Sequence, residues 1–130
     1  MEKSEINPKE YSSIALAYIG DVYYELYVRD LLVKRGPKHV KKYHEEAISY
    51  VSARGQFGVY NKIKHMLSEE EQAVYRRGRN TKSKPTKNAE LAHYKAATGL
   101  EALIGYLYLK DDITRIKELL GEAINIENRG

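Results

Sequence analysis

The sequence predicts an all-α domain of about six helices. Apolar residues recur at helical spacing along nearly all of its 130 residues, and strand-like alternation is scarce. Start and stop signals for helices divide the chain into six such stretches. There is no internal repeat and no linker, so residues 1–130 are read as a single domain. A chain of this length buries a core without covalent staples. The absence of cysteine excludes disulfides and thiolate metal sites.

The first helix is expected to open at "NPKE". Asn7 can cap, Pro8 suits the first helical position, and Glu10 stands three residues after the cap. It should run to about Lys34 and stop at Gly36-Pro37. A second helix is expected over Lys38 to Val51 and a third over Ala53 to Met66, with Gly55 and Gly58 weakening the third. "SEEE", Ser68 to Glu71, is a capping box that starts a short fourth helix reaching about Arg77. A basic loop follows, interrupted by Gly78 and Pro85. Asn88 can cap a long fifth helix ending near Lys110, and the sixth should run from Asp111 or Asp112 to about Ile126.

The formal net charge is +4, from 22 basic and 18 acidic residues, a mild excess whose distribution matters more than its size. "RRGRNTKSKPTK" holds six basic residues, Arg76, Arg77, Arg79, Lys82, Lys84 and Lys87, and no acidic one. Such a block suits a polyanion; a solvated charged loop explains it equally well. A second cluster, Lys34, Arg35, Lys38, Lys41 and Lys42, reads first as solubility and second as an RNA contact. His39, His44 and His65 show no metal-ligand spacing. The polar start "MEKSEINPKE" is unlike a signal peptide. No apolar run approaches the roughly 18 residues of a membrane span. The expected setting is therefore the cytoplasm.

Twelve tyrosines with one Phe and no Trp is an unusual aromatic choice. Tyr23, Tyr24 and Tyr27 exceed what one helix face can bury, so some are expected in a subunit contact, where aromatics are favoured.

"LAYIGDVYYELYV", Leu16 to Val28, is apolar almost throughout yet carries Asp21 and Glu25. "AATGLEALIGYLYL", Ala96 to Leu109, carries a single charge, Glu101. Small residues flank both acids: Gly20 beside Asp21, and Gly99 and Gly105 around Glu101. Two helices crossing at these glycines would bring Asp21 and Glu101 together. Adjacent buried carboxylates repel, and need protonation, an arginine or a cation. Mg²⁺ suits such a pair, because it takes one or two carboxylates together with water and phosphate oxygens. Beside a basic loop, that is what phosphodiester cleavage requires. The plainer reading, an acid that meets an arginine or caps a neighbouring helix, stays open at this point.

His93, Ala97, Glu101 and Gly105 are spaced by four and share a helix face, with Tyr94 and Thr98 flanking it. His93, Tyr94 and Lys95 either lie on the RNA side of the acid pair or form a solvated first turn. Arg54 and Gln56 in "SARGQ" either contact phosphate or reflect ordinary helix-start polarity.

At these residues the sequence resembles the catalytic domain of ribonuclease III. That family's signature, ERLEFLGD, corresponds to "IALAYIGD", Ile14 to Asp21. Its second motif, roughly AD-x-x-EALIG, corresponds to "ATGLEALIG", Ala97 to Gly105. The likeness is closer to the short bacterial subgroup, Mini-ribonuclease III, in "YIGDVYYE", "SARGQ", "RRGRN" and "TGLEALIGYLYL". It spans nearly the whole chain.

The resemblance implies a ribonuclease III-like helical bundle and a metal-dependent endonuclease that cuts double-stranded RNA. It implies Asp21 and Glu101 as catalytic acids and Mg²⁺ ligands, with cleavage leaving a 5′-phosphate and a 3′-hydroxyl. It implies a homodimer with one cutting centre per subunit, and maturation of large-subunit ribosomal RNA. Three family acids are replaced, by Ile14, Ala17 and Thr98. Fewer protein ligands should weaken metal binding in the absence of RNA. Glu25, one turn after Asp21, would either orient a water at the metal or form a surface ion pair. No separate double-stranded-RNA-binding domain is expected within these 130 residues, so the basic loop of the catalytic domain is expected to grip the phosphates. The loss of acids keeps a rival in play, a non-catalytic RNA-binding module on the same fold. A third reading is a helical protein–protein scaffold.

Overall fold

The structure, a computed structural model, describes residues 6–81 and 88–124. Among them six α-helices form and no strand: α1 Ser13–Lys34, α2 Val40–Val51, α3 Ala53–Ile63, α4 Glu69–Arg79, α5 Asn88–Leu109 and α6 Ile113–Ala123. No helix among these residues is long and apolar enough to cross a membrane.

The organising element is α5. Leu100, Leu103, Ile104, Tyr106 and Leu107 are all buried, so this helix is apolar on every side and takes the centre. It packs against α1, α4, α3 and, less extensively, α6. From α1, Leu16, Gly20, Tyr24, Val28 and Leu32 recur every four residues and turn inward as one face. Each buried Leu, Ile or Val contributes about 1.5–3 kcal/mol by leaving water.

The helix ends differ from expectation where two caps compete. Asn7 caps a 3-10 turn, Pro8–Glu10, rather than the long helix. Tyr11 then takes an extended conformation. Ser12 starts α1, its hydroxyl accepting the Ala15 amide at 3.1 Å. Gly36, at φ 137°, turns the chain after α1. The Tyr43 hydroxyl ties that turn down, donating to the Gly36 carbonyl at 2.6 Å and accepting from the Lys38 amide at 3.1 Å.

Helix α3 tightens into a 3-10 turn at Lys64–Met66. The Ser68 capping box forms as expected, and α4 runs on to Arg79, two residues past the expected end. Asp111, at φ 66°, closes α5, and Asp112 caps α6 through the Arg115 amide. The expected end at Ile126 lies outside the described residues.

Arg115 ties α6 to α4. It donates to both carboxylate oxygens of Glu71 at 2.9 Å and to the Met66 carbonyl at 2.8 Å. Burial pushes the Glu71 carboxyl up, but the hydrogen bonds and charge of Arg115 and the Ser68 amide hold it below the usual carboxylate range.

Candidate active site

Two helix crossings set the geometry. A Cβ on Gly20 of α1 would strike the Glu101 carbonyl and come within 2.7 Å of the Gly105 nitrogen; one on Gly105 would strike the Leu16 carbonyl. The two backbones therefore touch, and only glycine fits. Gly99 serves a different crossing. It faces Tyr75 on α4, where a Cβ on Gly78 would lie 3.0 Å from the Gly99 Cα.

The Gly20–Gly105 contact brings the two acids together. Asp21 follows Gly20, and Glu101 sits one turn before Gly105. Their carboxyl groups are in hydrogen-bonding reach of each other. Burial pushes the Glu101 carboxyl up to about 7. Gln56 opposes that by hydrogen bonding, while the Asp21 and Glu25 charges add to it.

The two acids are not equally enclosed. Glu101 is half-buried, whereas Asp21 is exposed in the single chain. The apolar setting of Asp21 in the sequence does not mean burial, because Tyr18, Val22 and Leu26 on the same side of α1 are exposed as well. Among the described residues neither Asp21 nor Glu101 forms an ion pair, so no arginine neutralises them. Nor do three or more His, Cys, Asp or Glu side chains gather into a metal-holding group.

The donor set nevertheless fits a hard cation. Two carboxylate groups share one place, with no cationic side chain among the described residues paired to either. Beside them the buried Gln56 Oε1 has no hydrogen-bond partner. Mg²⁺ is held in this way by few carboxylates, with water and phosphate oxygens filling the shell.

The other candidate residues divide. Glu25 pairs with Arg29 at 3.1 Å, the surface-pair alternative. Thr98 spends its hydroxyl on the Tyr94 carbonyl at 3.1 Å. His93 is not a solvated first-turn residue; its ring packs on Phe57 of α3, 4.8 Å between centroids. Arg76, Arg77 and Arg79 are exposed in the last turn of α4, where cations favour the helix dipole. Lys82, Lys84 and Lys87 lie outside the described residues.

Tyr24 is fully buried and donates to the Tyr50 carbonyl at 2.6 Å. Tyr23 and Tyr27 are half-buried against the core.

Gln56 is the residue the sequence misplaced. It is 3% exposed, and its Nε2 donates to the Glu101 Oε2 at 3.1 Å and to the Val51 carbonyl at 3.1 Å. A phosphate contact from that position is ruled out by burial, while its neighbour Arg54 is exposed. The spacing of Gln56, Val59 and Ile63 was the available signal, since it puts the amide on the buried face of α3.

The ribonuclease III domain matches residues 14–112, a span that contains both crossings and both acids. The chain belongs to the ribonuclease III family. It is 42% identical to Mini-ribonuclease 3 of Symbiobacterium thermophilum over 125 residues, covering 95% of this chain and 96% of the relative. It is 43% identical to Mini-ribonuclease 3 of Enterococcus faecalis over 119 residues, covering 89% and 90%. A crystal structure of a Fusobacterium nucleatum protein superposes with a TM-score of 0.80 at 32% identity, covering 90% of this chain and 94% of that one. The all-α bundle is thus a ribonuclease III-like fold, and the chain is an endoribonuclease of the ribonuclease III type, from a family that acts on double-stranded RNA.

Proposed function

We propose that Asp21 and Glu101 are the catalytic acids and metal ligands of a Mg²⁺-dependent cut in double-stranded RNA. The observation that carries this reading is the meeting of the two carboxyl groups at the Gly20–Gly105 crossing, with no cationic side chain among the described residues paired to either. Bound there, Mg²⁺ supplies polarisation of the phosphate and a water activated at neutral pH. Asp21, exposed, is the ligand open to RNA. Glu101, held deeper by α5 and Gln56, fixes the floor of the site. Arg76, Arg77 and Arg79, with Lys82, Lys84 and Lys87, grip phosphates without reading sequence.

The working unit is a homodimer formed through α1. Ile14, Tyr18, Val22 and Leu26 recur every four residues and are 57%, 81%, 62% and 62% exposed. An exposed apolar stripe of this length marks an interface. It runs past Asp21, so each cutting centre borders the subunit contact. The residues 1–130 act as one catalytic domain in the cytoplasm, in maturation of large-subunit ribosomal RNA.

A cleavage assay on long duplex RNA tests the reading. With Mg²⁺ the products should carry 5′-phosphate and 3′-hydroxyl ends, and chelation should stop the reaction. Tight duplex binding with no cleavage at any divalent-ion concentration would instead assign the chain to the non-catalytic module.

A further inference from the structure

We infer that Gln56 is the positioning residue of the acid pair, fixing the Glu101 carboxylate so that it meets Asp21 in one orientation. The inference rests on the reading of Asp21 and Glu101 as metal ligands, and it concerns a residue forty-five positions from Glu101 on a separate helix. The Val51 carbonyl can only accept, so the chemistry fixes which end of the Gln56 amide faces it. That end is Nε2, whose second hydrogen reaches the Glu101 Oε2 at 3.1 Å. One amide group therefore ties the end of α2 to an acid on α5. With one oxygen held, the carboxylate has lost most of its freedom to rotate.

The other end of the amide argues that this is not ordinary core packing. Oε1 is buried without a partner, and an unpaired buried acceptor costs free energy that an apolar side chain of the same size would avoid. Capping Val51 alone gives no reason to retain that cost. A role at the acids does, because Oε1 belongs to the same rigid amide and stands ready to accept a hydrogen bond at the edge of the site. Partners that orient a ligating carboxylate in this way typically govern metal affinity or activity by about 10–100-fold.

Gln56→Met keeps the side-chain volume and removes both donors. It should raise the Mg²⁺ concentration for half-maximal cleavage at least about tenfold, while the KM for duplex RNA stays within twofold. Mn²⁺ binding to RNA-free protein, followed by electron paramagnetic resonance, should weaken in parallel. A folded Gln56→Met protein with parental Mg²⁺ dependence and parental Mn²⁺ binding overturns the inference. Should the variant not fold, the parental protein still decides. Its Gln56 side-chain amide resonance should move as Mg²⁺ is added, and should stay still in Glu101→Gln. A resonance that ignores Mg²⁺ while the Glu101 carboxyl responds overturns the role of Gln56 and leaves the metal reading standing. Silence at Glu101 itself overturns that reading, and this inference with it.

Discussion

Gly20 of α1 and Gly105 of α5 lie at a backbone-to-backbone crossing: a Cβ on Gly20 would strike the Glu101 carbonyl, and one on Gly105 the Leu16 carbonyl. The acid pair exists because of this contact. Gly105→Ala should therefore destabilise the fold by about 3 kcal/mol, the upper end for overpacking, since what the new methyl strikes is main chain that cannot swing aside. Gly58→Ala is the control. Gly58 is an exposed interior residue of α3 with nothing within 4 Å of the added methyl, so the change should stabilise by about 0.5–1 kcal/mol. Thermal unfolding of the two variants checks both signs.

The exposed stripe on α1 makes a prediction about assembly. Leu26→Asp should convert a dimer to monomers at concentrations where the parent is fully dimeric, as read by sedimentation. The helix itself should survive, because Leu26 points away from the core. An undisturbed dimer would move the interface elsewhere.

The Glu71–Arg115 pair predicts a pH dependence of stability. The folded Glu71 carboxyl sits below its ordinary value, so the unfolded chain takes up the proton first as pH falls. The pair's contribution is thus fully present above the ordinary Glu value and is lost as pH drops through the depressed one. Glu71→Gln should cost about 2 kcal/mol at neutral pH and flatten the acid limb of the stability curve. An acid limb as steep in the variant as in the parent would show that the pair carries no pH dependence.

The exposed arginines at the end of α4 should act through phosphate alone. Arg76→Ala or Arg77→Ala should weaken duplex RNA binding equally across sequences. For every phosphate that is no longer neutralised, the log–log salt slope should fall by about 0.7–0.9. Filter binding across a salt series reads the change directly, and an unaltered slope would remove that arginine from the RNA-binding surface.

Much of the helical frame was legible in the sequence, because its signals are local. The Ser68–Glu71 capping box and the Gly36-Pro37 stop mark the chain where they occur. The start of α1 was not, because Asn7-Pro8 and Ser12 both offer good caps five residues apart, and only tertiary packing chooses between them. The convergence of Asp21 and Glu101 was foreshadowed by glycines beside two lone charges. The exposure of Asp21 was not. Helix α1 is apolar on two faces, one for the core and one for the proposed partner subunit, and periodicity cannot tell them apart. Gln56 escaped for a related reason: a polar residue near a helix start reads as surface until its spacing to Val59 and Ile63 is taken seriously.

The most direct measurement is single-turnover cleavage of duplex RNA by Asp21→Asn and Glu101→Gln, with RNA binding followed in parallel. Each change keeps the side-chain size and removes the charge. The rate should fall at least about 10³-fold, a loss of about 4 kcal/mol at the transition state, with RNA affinity within a few-fold of the parent. Cleavage at the parental rate by either variant would show that its acid is not catalytic.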